Sequence, residues 1–263
     1  MSNSTRGSVL VTGAASGIGR AVAEEAASRG HDLVLIDRSE DALAEAVQAL
    51  TITVKEASGP SGVCVGRAAD VTDFEALAAA VIDTQGLRAP LVGVASCAGI
   101  EVGGSVLDSS VEDWRRAIDV NLTGSFFTLK ATLEELISNG GNAVLISSDG
   151  GVAGAQDFTA YCASKHGVIG LMRSAALDYG PLGVRINAVA PAFVETPMAD
   201  RIFDGNDDER DFWKSAVPLG RFAQATEVAK VVLHLLGDEA SYTNGHIYRI
   251  DGGSTAGYFR RSN

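Results

Sequence analysis

Apolar positions along the 263-residue chain fall in short unbroken runs, separated by longer stretches with helical spacing. SVLVTG (8–13), DLVLID (32–37), VCVGRAAD (63–70), LVGVASCAG (91–99), NAVLIS (142–147), VRINAVA (184–190) and HIYRID (246–251) read as strands with their exits. Helices are predicted over 17–29, 40–57, 72–85, 110–138, 158–179 and 225–237. Strands that are apolar without alternation are covered on both faces. Repeated strand–helix units imply parallel strands joined by right-handed crossovers, hence an α/β doubly wound sheet with helices on both faces. No internal repeat or low-complexity linker interrupts the pattern. One domain over 7–253 is therefore expected, between tails at 1–6 and 254–263. One segment breaks the alternation: ETPMADRIFDGNDDERDFWKSAVPLG (195–220), charged with scattered aromatics. Excursions of this length are binding lids or disordered segments; a solvated surface loop is the alternative.

Composition narrows the function. The chain carries 33 acidic against 21 basic residues, a formal charge of −12. Nucleic acid and anionic membrane both need a basic footprint, so neither is an expected partner. An anionic cofactor is still admissible, because backbone amides can hold phosphates locally. Cys64, Cys97 and Cys162 fit no metal-ligand spacing and read as reduced thiols, with no metal expected. The N-terminus has no apolar signal region and no stretch is long enough to span a membrane, so a cytoplasmic location is expected.

TGAASGIG follows the first strand, with glycines at 13, 17 and 19. The spacing departs from G-x-G-x-x-G, but the logic carries over. Gly13 allows a tight exit turn, Gly17 lets backbone approach a pyrophosphate, and Gly19 lets helix pack on strand. Ser16 and Ile18 complete the loop, whose helix N-terminus offers free amides to an anion. Packing alone also makes βα turns glycine-rich. Asp37 ends the second strand, where an acid can accept hydrogen bonds from ribose hydroxyls; a turn or N-cap aspartate is the plainer alternative. A carboxylate about 4 Å from a 2′-phosphate repels it by roughly 4 kcal/mol at an effective dielectric near 20. Arg38 works in the opposite sense, yet the balance favours NAD over NADP.

Tyr161 and Lys165, in YCASK, are four apart on a predicted helix and share a face. A phenol ionises near pKa 10, and lowering that by about 3 units needs about 4 kcal/mol. A nearby ammonium, helped by a cationic nicotinamide ring, is a plausible source. A snorkelling lysine on a helix side is the bland reading. Ser148 follows the fifth strand, at a strand C-terminus where open α/β sheets place ligands; Ser147 competes with it. Asn121, in DVNLTG, is either functional, a helix irregularity or a satisfied core amide.

The ordered set TGAASGIG, Asp37, DV (70–71), VNLTG (120–124), ISS (146–148), YCASK, VRINAVAP, ETPM and NGHIYRIDGG resembles the short-chain dehydrogenase/reductase superfamily, non-extended type. The resemblance runs from about residue 7 to 253. It implies a Rossmann-like sheet of about seven strands and an Asn121–Ser148–Tyr161–Lys165 tetrad. Tyr161 would exchange a proton with the substrate oxygen, Ser148 would hydrogen-bond it, Lys165 would bind the nicotinamide ribose and lower the phenol pKa, and Asn121 would hold a relay water. Asp70 and Val71 match adenine-contacting positions; Cys97, Ala98 and Gly99 match the loop beside the cofactor; Val194 and Thr196 match carboxamide-binding positions. The implied activity is hydride transfer between NAD(H) and a secondary alcohol or ketone. An NADPH-dependent 3-ketoacyl thioester reductase and a non-catalytic nucleotide sensor are the alternatives. A homo-oligomer, often a tetramer, is also implied, with helices 110–138 and 158–179 at an interface.

Two stretches depart from the family pattern. SCAG (96–99) stands where Asn-Asn-Ala-Gly is usual, so Ser96 needs support from elsewhere and Cys97 reads as a small packing residue. Pro191-Ala192 replaces Pro-Gly, which restricts that loop. Asp149 and Glu101 are expected to make the pocket mouth negative, disfavouring carboxylate or phosphate substrates and suiting polyols, cyclic alcohols or amino alcohols.

Overall fold

A computed structural model describes residues 7–86 and 88–259 of the chain. The tail expected at 1–6 and the last residues of the 254–263 tail lie outside the described residues. Seven parallel strands form the main sheet: β1 (Ser8–Thr12), β2 (Asp32–Asp37), β3 (Cys64–Ala68), β4 (Leu91–Ser96), β5 (Asn142–Ile146), β6 (Arg185–Pro191) and β9 (Ile247–Ile250). A short parallel pair, β7 (Val194–Glu195) with β8 (Ala223–Gln224), sits apart and was not foreseen. The order β3-β2-β1-β4-β5-β6-β9 reverses direction between β1 and β4, so the strand C-termini open into a crevice there.

Burial on both faces explains the unbroken apolar runs. In β1, Val9 and Val11 face the layer containing α1 (Gly17–Ser28), α2 (Glu40–Ser58) and α9 (Ala225–Leu236). Leu10, between them, faces the layer of α3 (Phe74–Ile82), α5 (Gly124–Asn139) and α6 (Thr159–Tyr179). Each strand thus contributes alternate residues to two cores. None of the described helices is long and apolar enough to cross a membrane.

Two expectations change. The helix expected over 110–138 is three pieces: α4 (Val111–Ala117), a π-helical segment (Ile118–Thr123) and α5. Hydrophobic spacing cannot see the extra residue per turn of a π segment, which commonly marks a functional site. The 195–220 excursion holds two helices, α7 (Pro197–Phe203) and α8 (Asp207–Ala216), so it is not a structureless loop. Phe193, Phe203 and Phe222 pack with ring centroids 5.0–5.6 Å apart, and Trp213 lies 5.6 Å from Phe193. Arg210 crosses this cluster to pair with Glu195 and, at 2.9 Å, with Asp200.

At the opposite end of the sheet, Arg88 is buried with 1% of its side chain exposed. It donates to both carboxylate oxygens of Glu135 on α5, at 2.8 and 2.9 Å, and to Ser8 Oγ at 3.0 Å. Glu135 Oε1 also accepts from the Leu91 amide at 3.0 Å, locking the start of β4 to α5. Burial alone would raise the Glu135 carboxyl, but the Arg88 and Leu91 hydrogen bonds outweigh it and hold the group below its usual range. We predict that Arg88→Ala costs about 1.5–3 kcal/mol in denaturant unfolding, because the half-buried Glu135 carboxylate loses its charged donor. A depressed folded-state pKa gives stability that is present above the unfolded glutamate value and lost as pH falls through the folded one. The gap between wild type and variant should therefore narrow below pH ~4.3, a window set by the reference glutamate value.

Candidate functional site

The loops that leave β1 to β6 gather at the C-terminal edge of the sheet. The first is the glycine loop. Gly13 and Gly17 have φ of +65° and +55°, values that residues with a Cβ rarely adopt. A Cβ on Gly13 would lie 2.8 Å from Ala98 Cα, so the turn after β1 presses on the loop after β4. A Cβ on Gly19 would lie 2.7 Å from the Gly13 carbonyl carbon, which is the close helix–strand approach expected of that glycine. Ser16, the N-cap of α1, makes no side-chain cap bond, and the first turn has no acidic residue. The first amides of α1, from Gly17, Ile18 and Gly19, are thus open to an anion.

Asp37 closes the loop from the side. Its Oδ2 accepts from the Ala15 amide at 3.0 Å and its Oδ1 from the Ser39 amide at 3.0 Å. Arg38 is exposed and makes no hydrogen bond among the described residues. After β3, exposed Asp70 caps its own turn by accepting from the Thr72 amide at 2.9 Å. Val71 is buried against Gly124 at the start of α5, so its side chain also serves packing. Thr196 follows β7, buried Val194 lies just before it, and Thr196 Cγ2 would be 3.5 Å from a Cβ on Gly17. The excursion therefore begins against the glycine loop.

Support for the SCAG loop comes from Thr12, which carries no distinguishing signal in the sequence. Thr12 Oγ1 accepts from the Cys97 and Ala98 amides at 3.1 and 3.2 Å. Ser96 hydrogen-bonds Ser125 Oγ at 3.4 Å. Cys97 packs against the core, and burial pushes its thiol up to about 12, so it is no thiolate nucleophile at neutral pH.

Asn121 lies in the π segment, fully buried. Its Oδ1 accepts from the Ile100 amide at 2.8 Å, while Nδ2 donates to Ile100 O at 2.9 Å and to Ser164 Oγ at 3.0 Å. Two of the sequence alternatives hold together: it is a helix irregularity and a satisfied amide, tying β4's exit to α6. Ser164, three residues after Tyr161, was not singled out. Gly99 separates this amide from Lys165: a Cβ there would be 3.1 Å from Asn121 Oδ1 and 3.4 Å from Lys165 Nζ.

The two serines after β5 part company. Ser147 Oγ donates to the Lys165 carbonyl at 3.0 Å and is used by packing. Ser148 donates to Asp149 Oδ1 at 2.9 Å and stands close enough to the Tyr161 side chain to lower its pKa. Gly150 leaves room between them, since a Cβ there would be 3.6 Å from both Ser148 Oγ and Tyr161 Cδ1. Lys165 is 5% exposed; its Nζ donates to Ile146 O at 2.9 Å and lies 5.7 Å from the Tyr161 ring centroid.

The electrostatics differ from the simple expectation. Burial pushes Tyr161 up to about 12; the Ser148 hydrogen bond lowers it, and the charges of Asp149, Cys162 and Glu101 raise it further. Burial pushes Lys165 down to about 8. Without a bound ligand, burial thus outweighs the Ser148 hydrogen bond and keeps the phenol above its ordinary value. Burial also raises Glu101, with Arg201 and Arg116 opposing, and raises Asp149, with the Ser148 hydrogen bond opposing and Asp251 adding to the rise.

A family model described as enoyl-(acyl carrier protein) reductase matches residues 13–255. The chain is 38% identical over 251 residues to trans-4-hydroxycyclohexanecarboxylate dehydrogenase of Sinomonas cyclohexanicum, covering 94% of this chain and 92% of that protein. Carveol dehydrogenase from Mycobacterium avium, solved in complex with NAD, superposes with TM-score 0.89 at 30% identity, over 98% of this chain and 100% of the other. A single-substitution variant of actinorhodin polyketide ketoreductase, solved with NADPH, superposes with TM-score 0.87 at 30% identity, over 97% and 99%. We predict that Gly19→Ala abolishes the melting-temperature rise that nicotinamide dinucleotides give the parent protein, because α1 can no longer sit against β1. An unchanged rise in a thermal-shift titration would show that the close approach is not needed for binding.

Proposed function

The chain belongs to the short-chain dehydrogenase/reductase superfamily, whose members bind a nicotinamide cofactor, and we propose that it transfers a hydride between NAD(H) and a secondary alcohol or ketone. The observation that carries this reading is the convergence of Ser148, Tyr161, Lys165 and Asn121 beside the glycine loop. The glycine cradle and the open amides of α1 fit a dinucleotide pyrophosphate, and Asp37 stands where ribose hydroxyls would reach it. When bound, the cofactor supplies the redox step, and its oxidised nicotinamide brings a positive charge to the site.

In the oxidative direction Tyr161 Oη takes the alcohol proton while Ser148 Oγ hydrogen-bonds the same oxygen, a general-base arrangement. The protein leaves the phenol near 12, so this step depends on the charge of the oxidised ring as well as on Lys165. Lys165 would hold the ribose of the nicotinamide half when the cofactor is bound. Both amide protons of Asn121 are committed, so a proton relay through this residue uses one of its acceptor oxygens. By the family resemblance, Asp70 and Val71 would contact the adenine, Cys97, Ala98 and Gly99 would lie beside the cofactor, and Val194 and Thr196 would bind the carboxamide. The α7–α8 excursion is the lid over the substrate. The single domain spans 7–253. Exposed Val111, Trp114 and Phe126 on α4 and α5, with Leu177 on α6, support self-association of the chain, as a tetramer.

Carveol dehydrogenase and the hydroxycyclohexanecarboxylate dehydrogenase support an alcohol substrate; the NADPH-bound ketoreductase keeps the ketoacyl alternative in view. Asp37 supports the NAD reading, since its carboxylate opposes a 2′-phosphate, while exposed Arg38 works in the opposite sense.

Two measurements test the reading. With cyclohexanol or carveol, Tyr161→Phe is expected to lower kcat by about 10²–10⁴ while the NAD Kd stays within about threefold. Near-normal turnover would remove Tyr161 from the chemistry. Steady-state kinetics with both cofactors should give NAD at least about a hundredfold advantage in kcat/KM, from the repulsion at Asp37. A preference for NADP would favour the ketoacyl alternative.

A further inference from the structure

Asp149 stands beside the proposed reacting oxygen with a carboxylate that the fold only half uses. Its Oδ1 accepts from Ser148 Oγ at 2.9 Å and from the Gly150 amide at 2.7 Å. No other residue donates to its Oδ2 among the described residues, and it forms no ion pair there. Its charged neighbours are themselves anionic: Asp251 acts on Asp149, and Asp149 and Glu101 both act on Tyr161. The two pocket acids are not equivalent. Glu101 is offset by the guanidiniums of Arg201 on α7 and Arg116 on α4. Asp251 spends both its oxygens on its own turn, Oδ1 on the Gly253 amide and Oδ2 on the Thr255 amide. Asp149 is the acid left with capacity for a ligand.

From this we infer that Asp149 is a specificity-determining residue that accepts a hydrogen bond from a second donor on the substrate, a hydroxyl or ammonium on the carbon next to the carbinol. The inference rests on the alcohol dehydrogenase reading above and names its substrate class: vicinal diols and vicinal amino alcohols. Distance sets the choice. Ser148 Oγ has one proton, which goes to Asp149 Oδ1 in the free protein and turns to the substrate oxygen when substrate binds, so the reacting oxygen lies within two hydrogen-bond lengths of about 3 Å from a carboxylate then left free to accept. A donor on the adjacent carbon spans that gap; one across a six-membered ring does not. A carboxylate on that carbon meets an anion with no ion pair among the described residues, so 3-hydroxy acids of this geometry are disfavoured. Ser147 cannot replace Asp149 in this role, because its hydroxyl is spent on Lys165 O.

The test compares cyclohexanol, trans-cyclohexane-1,2-diol, trans-2-aminocyclohexanol and trans-2-hydroxycyclohexanecarboxylate on wild type and Asp149→Asn, with NAD. The substitution also alters the bond to Ser148, so the readout is the ratio of substrates on one protein rather than a rate. Wild type should favour the diol or the amino alcohol over cyclohexanol by about tenfold or more in kcat/KM, as hydrogen bonds to a charged group do. In Asp149→Asn the ratio should fall to about threefold or less, and the hydroxy acid should gain relative to cyclohexanol. The two donor arms separate hydroxyl from ammonium recognition. Calorimetric Kd values for the same compounds on the protein loaded with NADH, which cannot accept a hydride from an alcohol, read the contact without turnover. Should the Kd ratio behave as stated while nothing is oxidised, the dehydrogenase reading fails and the Asp149 contact stands. Equal ratios in wild type and variant, in both kcat/KM and Kd, overturn the inference.

Discussion

The site depends on how closely backbone approaches backbone where β1 and β4 end. Gly13 lies against Ala98, Gly19 lies against Gly13, and Thr12 Oγ1 holds the Cys97 and Ala98 amides. No side chain fits between these segments. The closeness brings α1's N-terminus to the crevice at the point where the strand order reverses, and it fixes the β4 exit that Asn121 then grips through Ile100. From Asn121 the connection runs to Ser164, and so to the helix carrying Tyr161 and Lys165. A cofactor loop and a proton-transfer pair that are distant in sequence are held by one chain of short contacts.

Much of this could be read in the sequence because strand and glycine signals are local. A run such as DLVLID has no polar alternation, which already implies cover on both faces, and all seven main strands sit where such runs occur. Other features depend on partners far along the chain. The π segment at Ile118–Thr123 differs from a helix by one residue per turn, and only Asn121's bonds to Ile100 and Ser164 explain it. Thr12 carries no signal in the sequence and Ser147 competes there with Ser148, because the partners that decide their roles lie on other elements. In the 195–220 excursion the aromatics were visible, but not their convergence with Phe193 and Phe222. The roles proposed for the tetrad and the cofactor-contacting residues came from family resemblance, which residue pattern alone could not supply.

The four-residue step from Tyr161 to Lys165 shows where helical geometry stops short of chemistry. It puts both groups on one face, yet burial acts on them in opposite senses, raising the phenol and lowering the ammonium. Both changes favour the neutral pair. Every tenfold loss of phenolate costs about 1.4 kcal/mol, so a phenol near 12 is an inefficient base at neutral pH. Burial also makes any added charge count for more, because the local dielectric is low. On the proposed mechanism, a tyrosine held neutral until a cation arrives would couple proton transfer to cofactor binding.

The same reasoning explains how a chain of net charge −12 accommodates an anionic cofactor yet keeps acids at the substrate side. On the cofactor side, charge is met by dipoles: the uncapped amides of α1, with no acid in the first turn to compete. On the substrate side, the carboxylates of Asp149 and Glu101 flank Tyr161, and only Glu101 has guanidiniums to offset it. On the proposed reading, an extra carboxylate in the substrate would be repelled there and a hydroxyl or ammonium favoured. The two halves of the crevice therefore sort their ligands by opposite electrostatic means, although both are built from loops at the same strand ends.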